Sequence, residues 1–280
     1  MHKDTKWAQQ ILSLQDEEGK WGIFHSLAQI SNAPMTTEQA LRRLKRLGFT
    51  IEDDCIQKAV GYMNDCLTRK KEIPDYKEKI QDWEVFSDLM LATWVRAFVD
   101  DNAAANRVAQ QWAEVITAAF ETGRFDYRRY VSAYARAIRL PPKGARLLGC
   151  VSFYPVSLVA GCLDAKTEDA YVWHFVHQAG GIDYIYGHHL AVLPQAFQSK
   201  EASRFLAAIE LLAEHEAGRK HLQYVVQWLE ENRNANGKWD MGSAANDKIY
   251  FPLSNSWRKA ETREADCTER ISKLLDKLKA

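Results

Sequence analysis

Apolar residues along the chain recur mostly at three- and four-residue intervals, which is the spacing of an amphipathic helix. The first example covers residues 7–14, a second covers residues 40–47 and ends at Gly48, and a third covers residues 56–67. Strand-like alternation occurs only around residues 182–186. The pattern therefore predicts an all-α protein.

Further stretches with helical spacing follow. We predict helices over residues 83–99, 103–120, 127–139, 147–162, 167–178, 191–197, 200–214, 220–231 and 267–278. Turns that pair a glycine with an aromatic residue recur among these stretches, and their glycines are Gly19, Gly123, Gly181 and Gly237. The intervals are 104, 58 and 56 residues, so the first is close to twice the others. This regularity predicts a single repeat-built domain over residues 1–280.

One of these turns belongs to a longer motif, Gln15-x-x-x-Gly19-x-Trp21. It resembles the QW motif of squalene–hopene cyclases and the related repeats of protein prenyltransferase β-subunits. The run Leu44–Met63 resembles the hairpin between two such motifs. A structural role explains the motif, in which the Gln side chain ties a helix end to neighbouring backbone and the Trp stacks over the junction.

A looser second copy lies near the far end of the chain, where Asn232 stands in the place of the glutamine before Gly237 and Trp239. The resemblance implies an α/α toroid of about five to six helical hairpins, with inner and outer helices around a central cavity. Such a motif specifies a fold and leaves the reaction open.

Composition limits the partners and the compartment that we expect for the protein. The 280 residues carry 37 Lys and Arg against 37 Asp and Glu, a net charge of zero, which argues against nucleic acid as a partner. The longest uncharged run, residues 147–163, is short for a membrane span and contains Pro155. The five cysteines are odd in number and lack CxxC spacing. With no apolar signal segment at the N-terminus, we expect a cytoplasmic protein that does not span a membrane.

The acidic motifs of the resembled enzymes are incomplete here. Residues 51–54 lack the first Asp of an Asp-x-Asp-Asp acid motif and fall where a helix cap is expected. Residues 98–102 lack the third acid of a diphosphate-binding motif, and residues 64–72 match an Asn, Thr, Glu metal triad in spacing only. Residues 53–55 have Asp-x-Cys zinc spacing at the wrong end of the chain. Whether the protein is an enzyme is therefore left open.

The most distinctive polar segment covers residues 174–189 and holds four of the eight histidines. An imidazole beside a carboxylate suits acid–base chemistry or a metal site, whereas the alternative is a helix end with hydrogen-bonded histidines. The candidate catalytic residues are Asp183, His177 and His188. The candidate cavity-binding residues in this segment are His174, Tyr184 and Tyr186.

Aromatic residues elsewhere could line a toroid cavity. Tyr127, Tyr130 and Tyr134 fall on one helical stripe. From these and other segments, the candidate cavity-binding residues are Tyr130, Tyr134, Trp83, Trp257 and Arg258. Aromatic residues at helical spacing also pack protein cores, and that alternative stays open.

Three functions fit these observations. The first is a toroid whose cavity binds a hydrophobic small molecule or peptide, with catalysis unproven. The second is a non-catalytic scaffold for a protein partner, and the third is a metal-dependent hydrolase or lyase. No cofactor is predicted, with a divalent metal as the open alternative.

Overall fold

The computed structural model describes residues 2–25, 34–246, 251 and 253–280. Within these ranges it is built from twelve α-helices and one short 3-10 helix, Ser243–Ala245, without any β-strand, which confirms the predicted all-α class. The helices α1 to α12 are, in order, Lys6–Leu12, Thr37–Arg46, Asp54–Leu67, Trp83–Arg96, Ala103–Ala119, Tyr127–Ala137, Phe153–Leu158, Ala165–His177, Lys200–Leu212, Gly218–His221, Gln223–Glu231 and Ala260–Lys279.

The chain divides into two compact units. Unit 1 comprises the described residues of Met1–Trp112 and Tyr134–Gly149, and unit 2 comprises those of Ala113–Ala133 and Cys150–Ala280. In unit 1, α1 packs against α2 and α3 against α4, whereas in unit 2 α12 packs against α10 and α11. In the part of the chain that is described, no helix combines the length and apolarity needed to cross a membrane.

Local hydrogen bonds explain where the first helices of unit 1 begin. The Thr36 hydroxyl accepts from Gln39 N and the Gln39 side chain accepts from Thr36 N, both at 3.2 Å, so Thr36 caps α2 in a reciprocal capping box. Asp53 stands at the N-cap of α3, but its carboxylate accepts from Thr50 N at 2.8 Å and from Lys3 Nζ at 2.7 Å. The acidic turn is therefore structural, although Asp53 closes the preceding turn and does not cap the helix by its side chain.

The Gln15, Gly19 and Trp21 motif performs the structural role predicted for it. Gln15 Nε2 donates to the carbonyls of Gly19, at 3.0 Å, and Cys55, at 2.8 Å, which ties the turn to the start of α3. Trp21 is 1% exposed, and its indole Nε1 donates to the carbonyl of Ile11 at 2.7 Å. Gly19 has a φ of +97° and no room for a side chain, because a Cβ would lie 2.6 Å from a backbone carbonyl.

The same indole contact recurs in unit 2. Trp239 Nε1 donates to the carbonyl of Leu229 at 2.6 Å, ten residues earlier, as Trp21 does to Ile11. The backbone amide of each tryptophan also donates to a threonine hydroxyl. Trp21 N donates to Thr37 Oγ1, and Trp239 N donates to Thr268 Oγ1. Gly237 and Trp239 are thus a second structural copy.

Asn232 does not replace the glutamine in this second copy. Its Nδ2 donates to Trp228 O at 2.8 Å, within its own helix end. Asn234 has the role that Asp16 has in the first copy, because its Oδ1 accepts from Lys238 N at 3.0 Å as Asp16 Oδ1 accepts from Lys20 N at 3.1 Å. The residue in register with Gln15, four before the glycine, is Arg233, one residue after Asn232.

Three predicted helices are shortened, absent or divided in the structure, and the last helix begins at Ala260, seven residues before its predicted start. The helix expected over 147–162 is reduced to Phe153–Leu158, because Ser152 pairs in a β-bridge with Asp183 before the helix begins. The stretch 191–197 forms turns around Pro194, which lacks an amide hydrogen for a helix. The helix expected over 220–231 is divided at Leu222, where φ is −108° and ψ is 15°.

Candidate functional site

A cleft of about 170 Å³ opens within unit 1, and we call it the charged cleft. Its charged lining consists of two positive and two negative side chains, Arg69, Arg139, Glu84 and Asp88, and the other lining residues are Val85, Val108, Gln111, Trp112 and Ile138. Because pockets for drug-sized ligands measure about 300–1,000 Å³, this cleft admits only a small molecule.

Arg69 enters the cleft from an unusual backbone conformation. It follows the C-cap of α3 with a φ of +62°, and Tyr184 is its sole counterpart among the described non-glycine residues. A side chain in this left-handed region costs about 1–2 kcal/mol relative to the ordinary conformations. Glycine would adopt the same turn without that cost.

The salt bridge of Arg69 does not explain this strain. Its Nη1 and Nη2 donate to the two carboxylate oxygens of Asp88 at 2.7 and 2.8 Å. The Arg69 side chain is 55% exposed, however, and exposed ion pairs contribute only about 0–1 kcal/mol. The left-handed turn closes the C-terminus of α3, because Lys70 N donates to Asp65 O at 2.8 Å, and Arg69 is a functional candidate through its place in the cleft lining.

Arg139 follows the end of α6 by two residues, and its side chain donates hydrogen bonds to residues at the start of α4. Its Nε and Nη2 donate to Asp82 at 2.7 and 2.6 Å, and Nη2 also donates to Glu84 at 2.8 Å. Asp82 is 4% exposed and caps α4 by accepting from Val85 N at 3.3 Å. The hydrogen bonds from Arg139 hold the pKa of Asp82 below its usual value despite burial.

The two guanidinium groups of the cleft interact through space. The pKa of Arg69 is raised, above all by its hydrogen bonds to Asp88, while the nearby positive charge of Arg139 opposes that rise. Both guanidinium groups are paired with carboxylates, so the cleft offers charged groups of both signs to a ligand.

Apolar side chains form the rest of the cleft lining. Val85, Val108 and Trp112 lie within the core, at 8%, 6% and 1% exposure. The ring of Trp112 makes an edge-to-face contact with Tyr134, with centroids 5.8 Å apart. Gln111, beside them on α5, donates from Nε2 to Ala137 O at 3.0 Å. The lining is therefore amphipathic, with charged groups above a packed apolar base.

The predicted histidine cluster is distributed over separate surroundings in unit 2. His174 stacks on Phe125 with centroids 5.5 Å apart, and burial lowers its pKa. His177 is exposed, and its ring lies 4.3 Å from that of Trp173. The ring of His188 contacts the edge of Tyr186. His174 and His177 were predicted to share a helix face, but their rings contact different residues.

Asp183 contributes its backbone to the fold. Its amide donates to Val151 O and its carbonyl accepts from Phe153 N, both at 3.1 Å, while partial burial raises the pKa of its carboxyl. Tyr184 beside it is 53% exposed and has a φ of +71°. Tyr186 is buried, donates to Glu201 at 3.3 Å, and has a pKa raised by burial to about 12.

The predicted aromatic residues mostly pack in cores. Tyr130 in unit 2 is 2% exposed and lies 5.8 Å from Phe125 between ring centroids. Trp257 is buried and donates from Nε1 to Asp266 at 2.7 Å, while Arg258 beside it is exposed. These residues stabilise unit 2.

Two predicted cavity residues of unit 1 lie next to the charged cleft. Trp83 is the first residue of α4, between Asp82 and Glu84, and its ring is tilted against Phe86. Tyr134 supports the cleft residue Trp112 from behind. Both are neighbours of the lining and not part of it.

Residues of the alternative metal motifs take part in other interactions in the structure. Asn64 Oδ1 accepts from Asn102 Nδ2 at 3.0 Å, and the Thr68 hydroxyl donates to Asn64 O at 2.9 Å. Cys55 is half-buried, and burial raises the pKa of its thiol. Over the described ranges, no three His, Cys, Asp or Glu side chains are placed to hold a metal ion.

Sequence reasoning missed the residues of the charged cleft. Arg69 is preceded and followed by ordinary polar residues, and Arg139 lies 57 residues from its partner Asp82. The one local signal was Asp82 before Trp83, which reads as a helix cap. No protein-family model matches the chain, and neither a curated protein nor a solved structure is significantly similar to it.

Proposed function

We propose that the protein binds a small molecule and that this ligand occupies the charged cleft of unit 1. The observation that carries the proposal is the presence of two guanidinium groups, those of Arg69 and Arg139, in the lining of one cleft. Their side chains are 55% and 48% exposed, so a ligand can reach both groups. No chemical step is assigned to the site.

We further propose that the fold carrying this cleft is an α/α toroid of the QW-repeat type. The all-α composition and the matching indole contacts of Trp21 and Trp239 support this proposal. Helical folds commonly hold ligands between helices. Here Arg69, Val85 and Val108 line the cleft from helix ends and helix faces.

The lining favours an amphipathic ligand over a purely hydrophobic one. A hydrocarbon would displace water from the charged side chains, above all from the exposed Glu84, without replacing its hydrogen bonds, and this desolvation is costly. A ligand with both a polar group and a short apolar group would satisfy the charged side chains and contact Val108 and Ile138 together.

A fragment screen by saturation-transfer NMR tests this proposal. Hits are expected with the wild-type protein, and their signals should be lost in Val108→Phe, which fills the cleft from its apolar base. Arg69→Gly should weaken the same hits while relieving backbone strain. The exposed Arg107 on the same helix as Val108 provides the matched control Arg107→Gln, which should bind as the wild type does. If no fragment binds, or if binding survives Val108→Phe unchanged, the proposed function is wrong.

A further inference from the structure

The charged cleft keeps a specific set of polar atoms without protein partners. Arg69 uses Nη1 and Nη2 for Asp88, and Arg139 uses Nε and Nη2 for Asp82 and Glu84. Among the described residues, Nε of Arg69 and Nη1 of Arg139 therefore have no protein acceptor. Two donors on separate cations remain available in one cleft.

Two acceptors complement these donors. Glu84 binds Arg139 through Oε2, and Oε1 has no donor from the described residues. The Gln111 side chain donates from Nε2 to Ala137 O. Its other amide atom, Oε1, is an acceptor, and it has no donor among the described residues. The cleft thus offers two donors for an anion and two acceptors for a cation.

The charge balance of the lining points in the same direction. Within the lining, Arg69 and Arg139 are matched by Glu84 and Asp88, and Asp82, which pairs with Arg139, adds a third carboxylate to the same group of charges. A ligand that is only an anion would be attracted by the guanidinium groups and repelled by the carboxylates, and a simple cation would meet the reverse. A ligand with one charge of each sign keeps the balance and pairs both sets.

We propose that the ligand of the charged cleft is a small zwitterion of the α-amino acid type with a short apolar side chain. Its carboxylate accepts from Arg69 Nε and Arg139 Nη1, and its ammonium donates to Glu84 Oε1 and Gln111 Oε1. Its side chain lies against Val108 and the other apolar residues of the lining. This assignment rests on the proposed function and specifies its ligand class.

The size of the cleft sets the length of that side chain. The cleft volume of about 170 Å³ is well below the roughly 300–1,000 Å³ of a drug-sized pocket. This suits an amino acid with a branched three- or four-carbon side chain. L-valine and L-leucine are therefore the probes.

Isothermal titration calorimetry with matched analogues tests the assignment. L-valine is compared with 3-methylbutanoate, which lacks the ammonium, and with isobutylamine, which lacks the carboxylate. L-leucine is compared with its corresponding analogues. Each missing charge removes charge-assisted hydrogen bonds, so the better amino acid should bind at least about tenfold more tightly than either analogue.

Two variants separate the two ends of the ligand. Glu84→Gln removes the anionic acceptor, and it should weaken the amino acid about tenfold without weakening the carboxylate-only analogue, which loses a repulsive charge. Arg69→Gly, at a backbone position that suits glycine, should weaken both ligands. Arg107→Gln serves again as the control and should alter neither affinity.

The results that overturn the assignment differ from those that overturn the proposed function. Analogue affinities equal to that of the amino acid, or an amino-acid affinity insensitive to Glu84→Gln, would contradict the zwitterion. So would fragments that bind in the cleft while neither amino acid binds, and in that case the binding function would stand. Failure of every fragment would instead remove the function itself.

Discussion

Asp82→Asn separates the charge of the buried carboxylate from its role as a helix cap. Asparagine is nearly the same size, and its side-chain oxygen can still accept from Val85 N at the start of α4. What the substitution removes is the negative charge that accepts from Arg139 at 2.6 and 2.7 Å. The expected loss is therefore electrostatic.

The structure limits the size of that loss. Charge-assisted hydrogen bonds contribute about 1.5–3 kcal/mol each when well formed. Arg139 is 48% exposed, so water replaces part of the interaction when Asp82 loses its charge. We therefore expect Asp82→Asn to lower the free energy of unfolding by about 1.5–3 kcal/mol at pH 7.

The pH dependence has a definite sign. Because Arg139 lowers the pKa of Asp82 in the folded protein, the charge stabilises the fold above the unfolded pKa of about 3.9. This contribution is lost as the pH falls through the lower folded pKa. The stability difference between wild type and Asp82→Asn should therefore be full at pH 7 and decrease below about pH 4.

Urea unfolding followed by tryptophan fluorescence at pH 7 and at successively lower pH measures this difference. Asp88→Asn is the matched control, because its partner Arg69 is 55% exposed and the loss should stay below about 1 kcal/mol. Equal stability of wild type and Asp82→Asn at pH 7 would refute the electrostatic account. A difference that persists undiminished in acid would refute it as well.

Three further substitutions test other parts of the structure. Trp21→Phe removes the indole donor to a buried carbonyl and leaves a cavity, so thermal denaturation should show a loss of about 2–4 kcal/mol. In urea unfolding, Gly181→Ala should lower the free energy of unfolding by at least about 2 kcal/mol more than Gly123→Ala does. A Cβ at Gly181 would lie 2.2 Å from the carbonyl oxygen of Tyr186, whereas one at Gly123 meets open space. Equal losses would contradict this packing. Arg69→Gly should be about 1 kcal/mol more stable than Arg69→Ala, because only alanine keeps the left-handed strain, and the opposite order would show that Arg69 is unstrained.

Local signals in the sequence were sufficient for the all-α class and for several details of unit 1. The hydrophobic spacing predicted α2 and α3. The roles of Gln15 and Trp21 followed from a motif whose contacts to Gly19 O and Ile11 O are close in the chain, although Gln15 also donates to Cys55 O, 40 residues away. Helix boundaries failed where distant pairing competed, as at Ser152, which pairs with Asp183.

The candidate site depended on contacts that sequence spacing does not reveal. Arg139 meets Asp82 and Glu84 only because the end of α6 lies beside the start of α4, a consequence of tertiary packing. The strain at Arg69 is a backbone property that its residue type conceals. Histidine density, by contrast, suggested a cluster, although His174 and His177 each pack on a different aromatic ring.

The most direct test of the charged cleft as a binding site follows the guanidinium groups themselves. In a ¹H–¹⁵N NMR titration with L-valine or with the strongest fragment from the screen, the Nε–H signals of Arg69 and Arg139 report on their surroundings. The account predicts that both signals shift in a saturable manner, while the Nε–H signal of the exposed Arg107 stays in place. Saturable binding without a shift at Arg69 or Arg139 would place the ligand elsewhere and contradict the account.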